Sequence, residues 1–278
     1  MSYAYAVTRA LSGLAATAFT WTPATTTNRA FLNDGRMDKR FAVAATATTV
    51  NVVIDMGAAT LLKGIALLNS NIASAPGGTP QVQVLAADDA AITLNVVQAK
   101  STTNLNITAP KQKDHVLQFT GAQTKRYWQI IWSWSASAFA LQLGELFAFA
   151  ASPQLTRKSD YGGGESNDIR TSVVEFDTGN SRGYFLGGPV RAKRLPFSLH
   201  TESQRLELET LHAAVKADAT PFLWIPSYEA VATGAAAAEQ EVIYGRLEVN
   251  EFAWTEGDYQ LFDPSELVIR SLGREVGS

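Results

Sequence analysis

The sequence predicts an all-β (mainly β) protein of two β-sandwich domains, and three observations predict it. Short β-branched and aromatic runs recur from residue 46 onward, separated by Gly, Pro, Asn and Ser turn signals. One stretch alone, near residue 208, has a clear helical period. The chain has 278 residues, more than the roughly 150 of a single domain.

Composition narrows the function classes. Hydrophobic residues make up 46% of the chain and charged residues 18%, which supports packed cores and argues against disorder. The net charge of -3, with no run of Lys or Arg, excludes the basic footprint of nucleic-acid binding. The absence of cysteine excludes disulfides, thiolate metal sites and a Cys nucleophile. It suits assembly in a cytoplasm. No run of about 18 apolar residues occurs, so no membrane insertion is expected. Met1 to Trp21, with Arg9 ahead of Ala10 to Phe19, reads as a first strand and loop rather than a signal peptide. The charge lies too deep, and Ser12 to Thr20 is only mildly apolar.

The elements follow in order. Val50 to Met56 is a β-branched strand ending at Gly57, and Leu61 to Leu68 is the next. Asn69 to Pro80 is a loop dense in turn residues. Gln81 to Leu85 alternates polar and apolar, as a half-buried strand does. His115 to Phe119, Tyr127 to Trp132 and Leu141 to Phe149 complete the first domain, residues 1–150. Residues 151–168, with Ser152-Pro153 and Gly162-Gly163-Gly164, read as a flexible linker or arm. The second domain, residues 169–278, opens with strands at Arg170 to Asp177, Ser181 to Leu186 and Arg191 to Leu199. Its helix starts at a capping box, Thr201 with Gln204 three residues on. Leu208, Leu211 and Val215 share one face of that helix, and Thr220-Pro221 ends it. Phe222 to Ile225 is a short apolar strand, Ala230 to Ala238 an alanine loop, and Val242 to Val249, Glu251 to Trp254 and Tyr259 to Ile269 close the chain.

No constellation for catalysis is visible. His115, His200 and His212 have no metal-ligand spacing. No nucleophile elbow is present, and the glycine run lacks the context of a phosphate loop. Asp88-Asp89 reads as a turn between strands rather than a paired-carboxylate site. The expectation is therefore no enzyme, no catalytic residue and no cofactor. Trp132 and Trp134 lie two apart, so in a strand they share a face. That face is either an aromatic platform for a ligand or core, and core is the commoner use of large aromatics.

Several segments of the first half resemble the galactose-binding-like (discoidin-like) jelly roll. They are Asn28 to Gly35 with its Asp-Gly, Val52 to Gly57, Lys63 to Leu67, Arg126 to Ile130 and Leu143 to Leu146, in that order. Arg40-Phe41 stands where the family usually has a Trp, and the family's cysteine pair is missing. The resemblance implies a Ca²⁺ site near Asp34 and Glu145, although two candidate ligands do not make one. It also implies glycan contacts from loops. Here those are Thr27 to Lys39 and Asn69 to Thr79, with Asn33 and Asn71 as interaction candidates beside Trp132 and Trp134.

The second half resembles a bacteriophage tail-ring protein of the distal-tail or minor-tail type, a tail-tube-like β-sandwich with one flanking helix. The segments that carry this are Gly183 to Pro189, Arg194 to Leu199, Thr220 to Pro226, Tyr244 to Leu247 and Tyr259 to Asp263. The resemblance implies a homo-oligomeric ring, sixfold, in the tail tip or baseplate of a virion assembled in the host cytoplasm, with other tail proteins as partners. Apolar strands with few charges, Tyr184 to Leu186, Phe222 to Ile225 and Leu261-Phe262, supply the physical motive for association. The alternative is a carbohydrate-binding module or adhesin recognising host-surface glycan.

Overall fold

The computed structural model describes residues 3–23, 26–34, 40–44, 48–77, 80–102, 114–156, 165–168, 171–175, 181–185, 190–195, 201–215, 220–226, 242–248, 254–256, 262–264 and 267–272. In chain order the strands are β1 (Tyr3–Ala6), β2 (Phe19–Thr22), β3 (Thr26–Thr27), β4 (Phe41–Val43), β5 (Thr49–Leu68), β6 (Gln81–Ala87), β7 (Val97–Thr102), β8 (His115–Ser133), β9 (Gln142–Leu143) and β10 (Glu145–Phe149). There follow β11 (Gln154–Leu155), β12 (Glu165–Asp168), β13 (Thr171–Glu175), β14 (Ser181–Phe185) and β15 (Val190–Leu195). After the helix α1 (Glu202–Val215) come β16 (Phe222–Ile225), β17 (Ile243–Leu247), β18 (Trp254–Glu256), β19 (Phe262–Pro264) and β20 (Leu267–Ser271). The protein is mainly β, as the sequence predicts.

The chain divides into two compact units. The first takes residues 8–154 and 225–242, and the second residues 2–7, 155–224 and 243–278. Residues 225–242 fall with the first unit rather than with the expected second domain, 169–278, and the division differs in two further ways. The first strand, β1, belongs to the second unit, between β11 and β16. The expected linker 151–168 contains β11 and β12, which stand at the two ends of the second unit's sheet. The backbone of an edge strand needs hydrogen-bond partners on one side only, so short polar segments suffice there. Gly162 to Gly164 and Ala230 to Ala238 lie outside the described residues.

The first unit is a sandwich of a six-stranded antiparallel sheet, β10-β5-β8-β6-β7 with β2 also on β5, and a three-stranded sheet β3-β4-β9. Side-chain alternation explains its core. Val50, Val52 and Ile54 on β5 face Trp132, Ile130 and Trp128 on β8, which face Val82, Val84 and Ala86 on β6. Phe19 and Trp21 on β2 extend two of these rows through Ile54 and Val52. All eleven are buried, and Phe41, Val43 and Leu143 of the smaller sheet join the same cluster. The outward residues Asn51, Val53, Gln83, Gln129 and Ile131 remain partly exposed. This is the pattern of strands with one face in a core.

Two expected breaks are irregularities inside longer strands. The run ending at Gly57 and the run from Leu61 form one strand, β5, whose register against β8 shifts between Asp55 and Thr60. Gly57 sits at φ 75°, a left-handed conformation that glycine adopts without a Cβ clash, and its N–H donates to the Asp55 carboxylate at 2.8 Å. His115 to Phe119 and Tyr127 to Trp132 are likewise one strand, β8.

The second unit is a seven-stranded sheet, β11-β1-β16-β17-β20-β15-β12, with α1 packed in its core. The ribbons β13–β14 and β18–β19 pair separately. The capping box forms as expected. The Gln204 N–H donates to Thr201 Oγ1 at 3.4 Å, and the Thr201 N–H donates to Gln204 Oε1 at 3.1 Å. Leu208, Leu211 and Val215 are buried in one cluster with Phe222, Trp224, Ile243, Leu247, Leu267 and Ile269. No described helix is long and apolar enough to cross a membrane.

One expected association surface changes place. Phe222 to Ile225 is fully buried between β1 and β17, so its apolar side chains are core of this chain rather than a face for a neighbour. The side chains of Tyr184, Leu186, Leu261 and Phe262 lie outside the described residues.

Candidate functional site

Trp132 and Trp134 share a face, but that face is interior: they are 0% and 5% exposed. Trp132 pairs across the sheet with Val50 and Val82, and both partners point into the core. Trp134 packs edge-on against Phe139, and its indole N–H donates to the Ser137 carbonyl at 3.0 Å. Neither indole forms a surface platform: Trp132, in register with core residues, must share their side of the sheet, and Trp134, just past the end of β8, packs in the same core cluster.

Asn33 and Asn71 are also structural. The Asn33 amide donates to the carbonyls of Leu11 (2.8 Å) and Leu14 (3.2 Å). The Asn71 amide donates to the Ala140 carbonyl at 2.9 Å, and its oxygen accepts the Gln142 N–H at 2.8 Å. Both amides are held by backbone, and their role is to position loops.

What Asn71 positions is the more informative feature. Gln142 sits on β9, paired with Ala42 of β4, and its side chain points to Arg40, the residue just ahead of that strand. The Arg40 guanidinium donates to Gln142 Oε1 at 3.0 Å and to Asn69 Oδ1 at 3.4 Å. The Arg40 carbonyl accepts from the Asn28 amide at 3.3 Å. Asn28 and Asn69 both occupy left-handed backbone, at φ 56° and 51°, which Asn tolerates better than most residues. The Asn69 N–H donates to the buried Asp114 carboxylate at 2.7 Å, which fixes the turn after β5. The cluster therefore joins the loop before β4, the turn after β5 and the start of β9.

Its chemistry is that of polar recognition. A guanidinium is a planar fork of five N–H donors. Anchored on two amide oxygens, it loses little freedom when it takes a further acceptor. Arg40, Asn69, Asn71 and Gln142 are partly exposed or buried, and Asn28 is exposed. Hydroxyl groups, which donate and accept, and carboxylates, which accept two parallel bonds, match such groups. The sequence flagged the two loops, which hold Asn28 and Asn69, but singled out neither of these as a candidate, nor Arg40 or Gln142. The available signal was the pair Arg40-Phe41 standing where the resembled family usually has a Trp.

Other titratable groups have plain roles. Asp89 accepts from Leu94 N–H (2.7 Å), Thr93 N–H (2.9 Å) and Thr93 Oγ1 (2.7 Å), and Asp88 from Asn95 (2.8 Å) and Lys125 (2.9 Å). These bonds hold both carboxyls below the usual carboxylate range, led by Leu94 N–H for Asp89 and by Lys125 for Asp88. The pair is a turn, as expected from the sequence. His115 is fully buried, and among the described residues neither ring nitrogen has a hydrogen-bond partner. Burial holds its pKa down at about 4 despite the neighbouring Asp114 carboxylate. His200 lies outside the described residues. Of the implied Ca²⁺ pair, Asp34 is exposed, while Glu145 is fully buried and ion-paired with Arg9.

No protein-family model matches the chain, and no curated protein sequence matches it. Among solved structures, it is similar to a fucosidase of glycoside hydrolase family 29 from Ruminococcus gnavus, with a TM-score of 0.37 and 8% identity, over 52% of this chain and 27% of that one. It is also similar to a chitosan-binding module of a chitosanase/glucanase from Paenibacillus sp. IK-5, with a TM-score of 0.31 and 19% identity, over 42% and 80% of the two chains. A third is a family 32 carbohydrate-binding module from a family 31 glycoside hydrolase of Clostridium perfringens, with a TM-score of 0.35 and 14% identity, over 50% and 94%. Likenesses of this size concern the fold alone.

Proposed function

We propose that this chain is a non-catalytic glycan-binding protein whose first unit recognises sugar hydroxyl or carboxylate groups at the Arg40 cluster. The observation that carries the reading is the Arg40 guanidinium, anchored by Gln142 and Asn69 beside the loops of Asn28 and Asn71. Groups of this kind orient a polyol by many directional bonds, each of modest strength. Host-surface carbohydrate is then the partner. The test is a glycan array followed by calorimetric titration of the full chain. Arg40→Ala is expected to lose the binding with its unfolding midpoint retained. Binding of equal strength by folded Arg40→Ala overturns the reading.

The second reading is a structural role in a phage tail or baseplate ring, with other tail proteins as partners and the virion as location. What supports it is the open edge of the second unit's sheet. Strand β12 pairs with β15, and among the described residues nothing pairs with its other side. An open edge is where another copy can add. The burial of Phe222 to Ile225 weighs against it, because that strand was part of its motive. Mass photometry separates the two, since a ring reading requires a discrete closed oligomer.

A further inference from the structure

The resemblance carried by the first half implies Ca²⁺ near Asp34 and Glu145, and the atoms around Glu145 hold a different cation. Nη2 of Arg9 donates to the Glu145 carboxylate and to the main-chain carbonyl of Asn33, the latter at 2.8 Å. A carboxylate and a backbone carbonyl are the oxygen ligands that Ca²⁺ takes. Here they converge on a group that already carries positive charge. The Glu145 side chain is 0% exposed and that of Arg9 is 22% exposed. A second cation brought to this carboxylate would meet a like charge with little water to screen it.

The surroundings fix the arrangement. The Leu146 N–H donates to the Leu32 carbonyl at 2.7 Å, and the Ala10 N–H to the Ala148 carbonyl at 2.8 Å. The Asn33 amide closes the third side on the carbonyls of Leu11 and Leu14. Three chain segments, 9–14, 32–33 and 145–148, are thereby laced around one ion pair. Asp34, the next residue along, is exposed. Among the described residues no group of three or more His, Asp or Glu side chains is placed to hold a metal.

We infer that the Arg9 guanidinium is the resident cation of this site, standing where the resemblance implies Ca²⁺, and that the first unit folds without that ion. Without Arg9 the buried Glu145 carboxylate loses an ion-pair partner, which is costly, and one carboxylate with one carbonyl offers too few oxygens to hold Ca²⁺ in its place.

The experiment is thermal unfolding of the full chain in EDTA and in Ca²⁺. A native site filled about a hundredfold above its Kd raises the midpoint of a chain this size by roughly 5–10 °C. The expected result for the unmodified protein is the same midpoint in both. Arg9→Ala is expected to unfold at lower temperature, equally in EDTA and in Ca²⁺. Arg9→Lys, which keeps the charge, is expected to be the milder change and indifferent to Ca²⁺. A Ca²⁺-dependent rise in the unmodified protein that Glu145→Gln abolishes overturns the inference. So does an Arg9→Ala protein as stable in EDTA as the parent, or one that Ca²⁺ restores to the parent's midpoint. If Arg9→Ala does not fold, the unmodified protein and Arg9→Lys decide the matter.

Discussion

Trp21 and Trp132 stack with ring centroids 5.9 Å apart and planes inclined by 13°, both sealed in the core of the first unit. Trp21 also lies 4.4 Å from Phe41 of the opposite sheet, so the pair bridges the two layers of the sandwich. Each such indole buries roughly 150–250 Å². Trp132→Ala is expected to destabilise the protein by about 3–5 kcal/mol. Urea unfolding followed by circular dichroism checks this, and a loss under about 1 kcal/mol would show the indole to be peripheral.

The helix of the second unit offers an internal control. Leu211 is 0% exposed and Leu206, on the opposite face, is 50% exposed. Leu211→Ala should cost about 2–5 kcal/mol, and Leu206→Ala no more than about 0.5 kcal/mol. Equal losses from the two variants, measured in the same denaturant series, would mean that the helix is turned differently on its sheet.

The start of the same helix makes a smaller and separable prediction. Thr201 and Gln204 exchange two hydrogen bonds that satisfy otherwise orphaned N–H groups. Thr201→Ala should cost about 1 kcal/mol, and Thr201→Asp should retain most of that stability. A stability series of the three proteins checks the order, and an unchanged Thr201→Ala protein would contradict the capping role.

His115 sets a pH dependence whose direction follows from its burial. Its folded pKa is about 4 against an ordinary 6.5. As pH falls below 6.5 the unfolded chain takes up a proton that the folded chain refuses. The unfolded state then binds more protons, so stability falls with falling pH. The loss accumulates between pH 6.5 and about 4 and is on the order of 3 kcal/mol at the bottom of that window. Asp55, Asp88 and Asp89 have carboxyls lowered from 3.8, so their contributions are present above 3.8 and lost below it, in a different window. His115→Leu should flatten the upper window and leave the lower one. Urea midpoints across both windows test this, and an unchanged upper slope in His115→Leu would assign the acid sensitivity to another group.

The features that the sequence by itself determined are those that depend on spacing along the chain. Val50, Val52 and Ile54 alternate with partly exposed neighbours because successive side chains of a strand point to opposite faces. Leu208, Leu211 and Val215 share a stripe because of the helical repeat, and Thr201 caps because its partner is three residues away. The shared face of Trp132 and Trp134 was legible in the same way, but whether that face met solvent or core was not. That depended on Val50 and Val82, which the tertiary structure sets beside Trp132.

Only the tertiary structure decided the features made by residues far apart in the chain. It joined two runs into β5 across Gly57, seated β1 in the second unit, and buried Phe222 to Ile225. It brought Arg9 to Glu145 over a separation of 136 residues, and Arg40 to Gln142 over 102. Local periodicity carries no information about which distant oxygen a guanidinium will meet. That choice follows from sheet order and register, which are fixed when the whole core is buried at once.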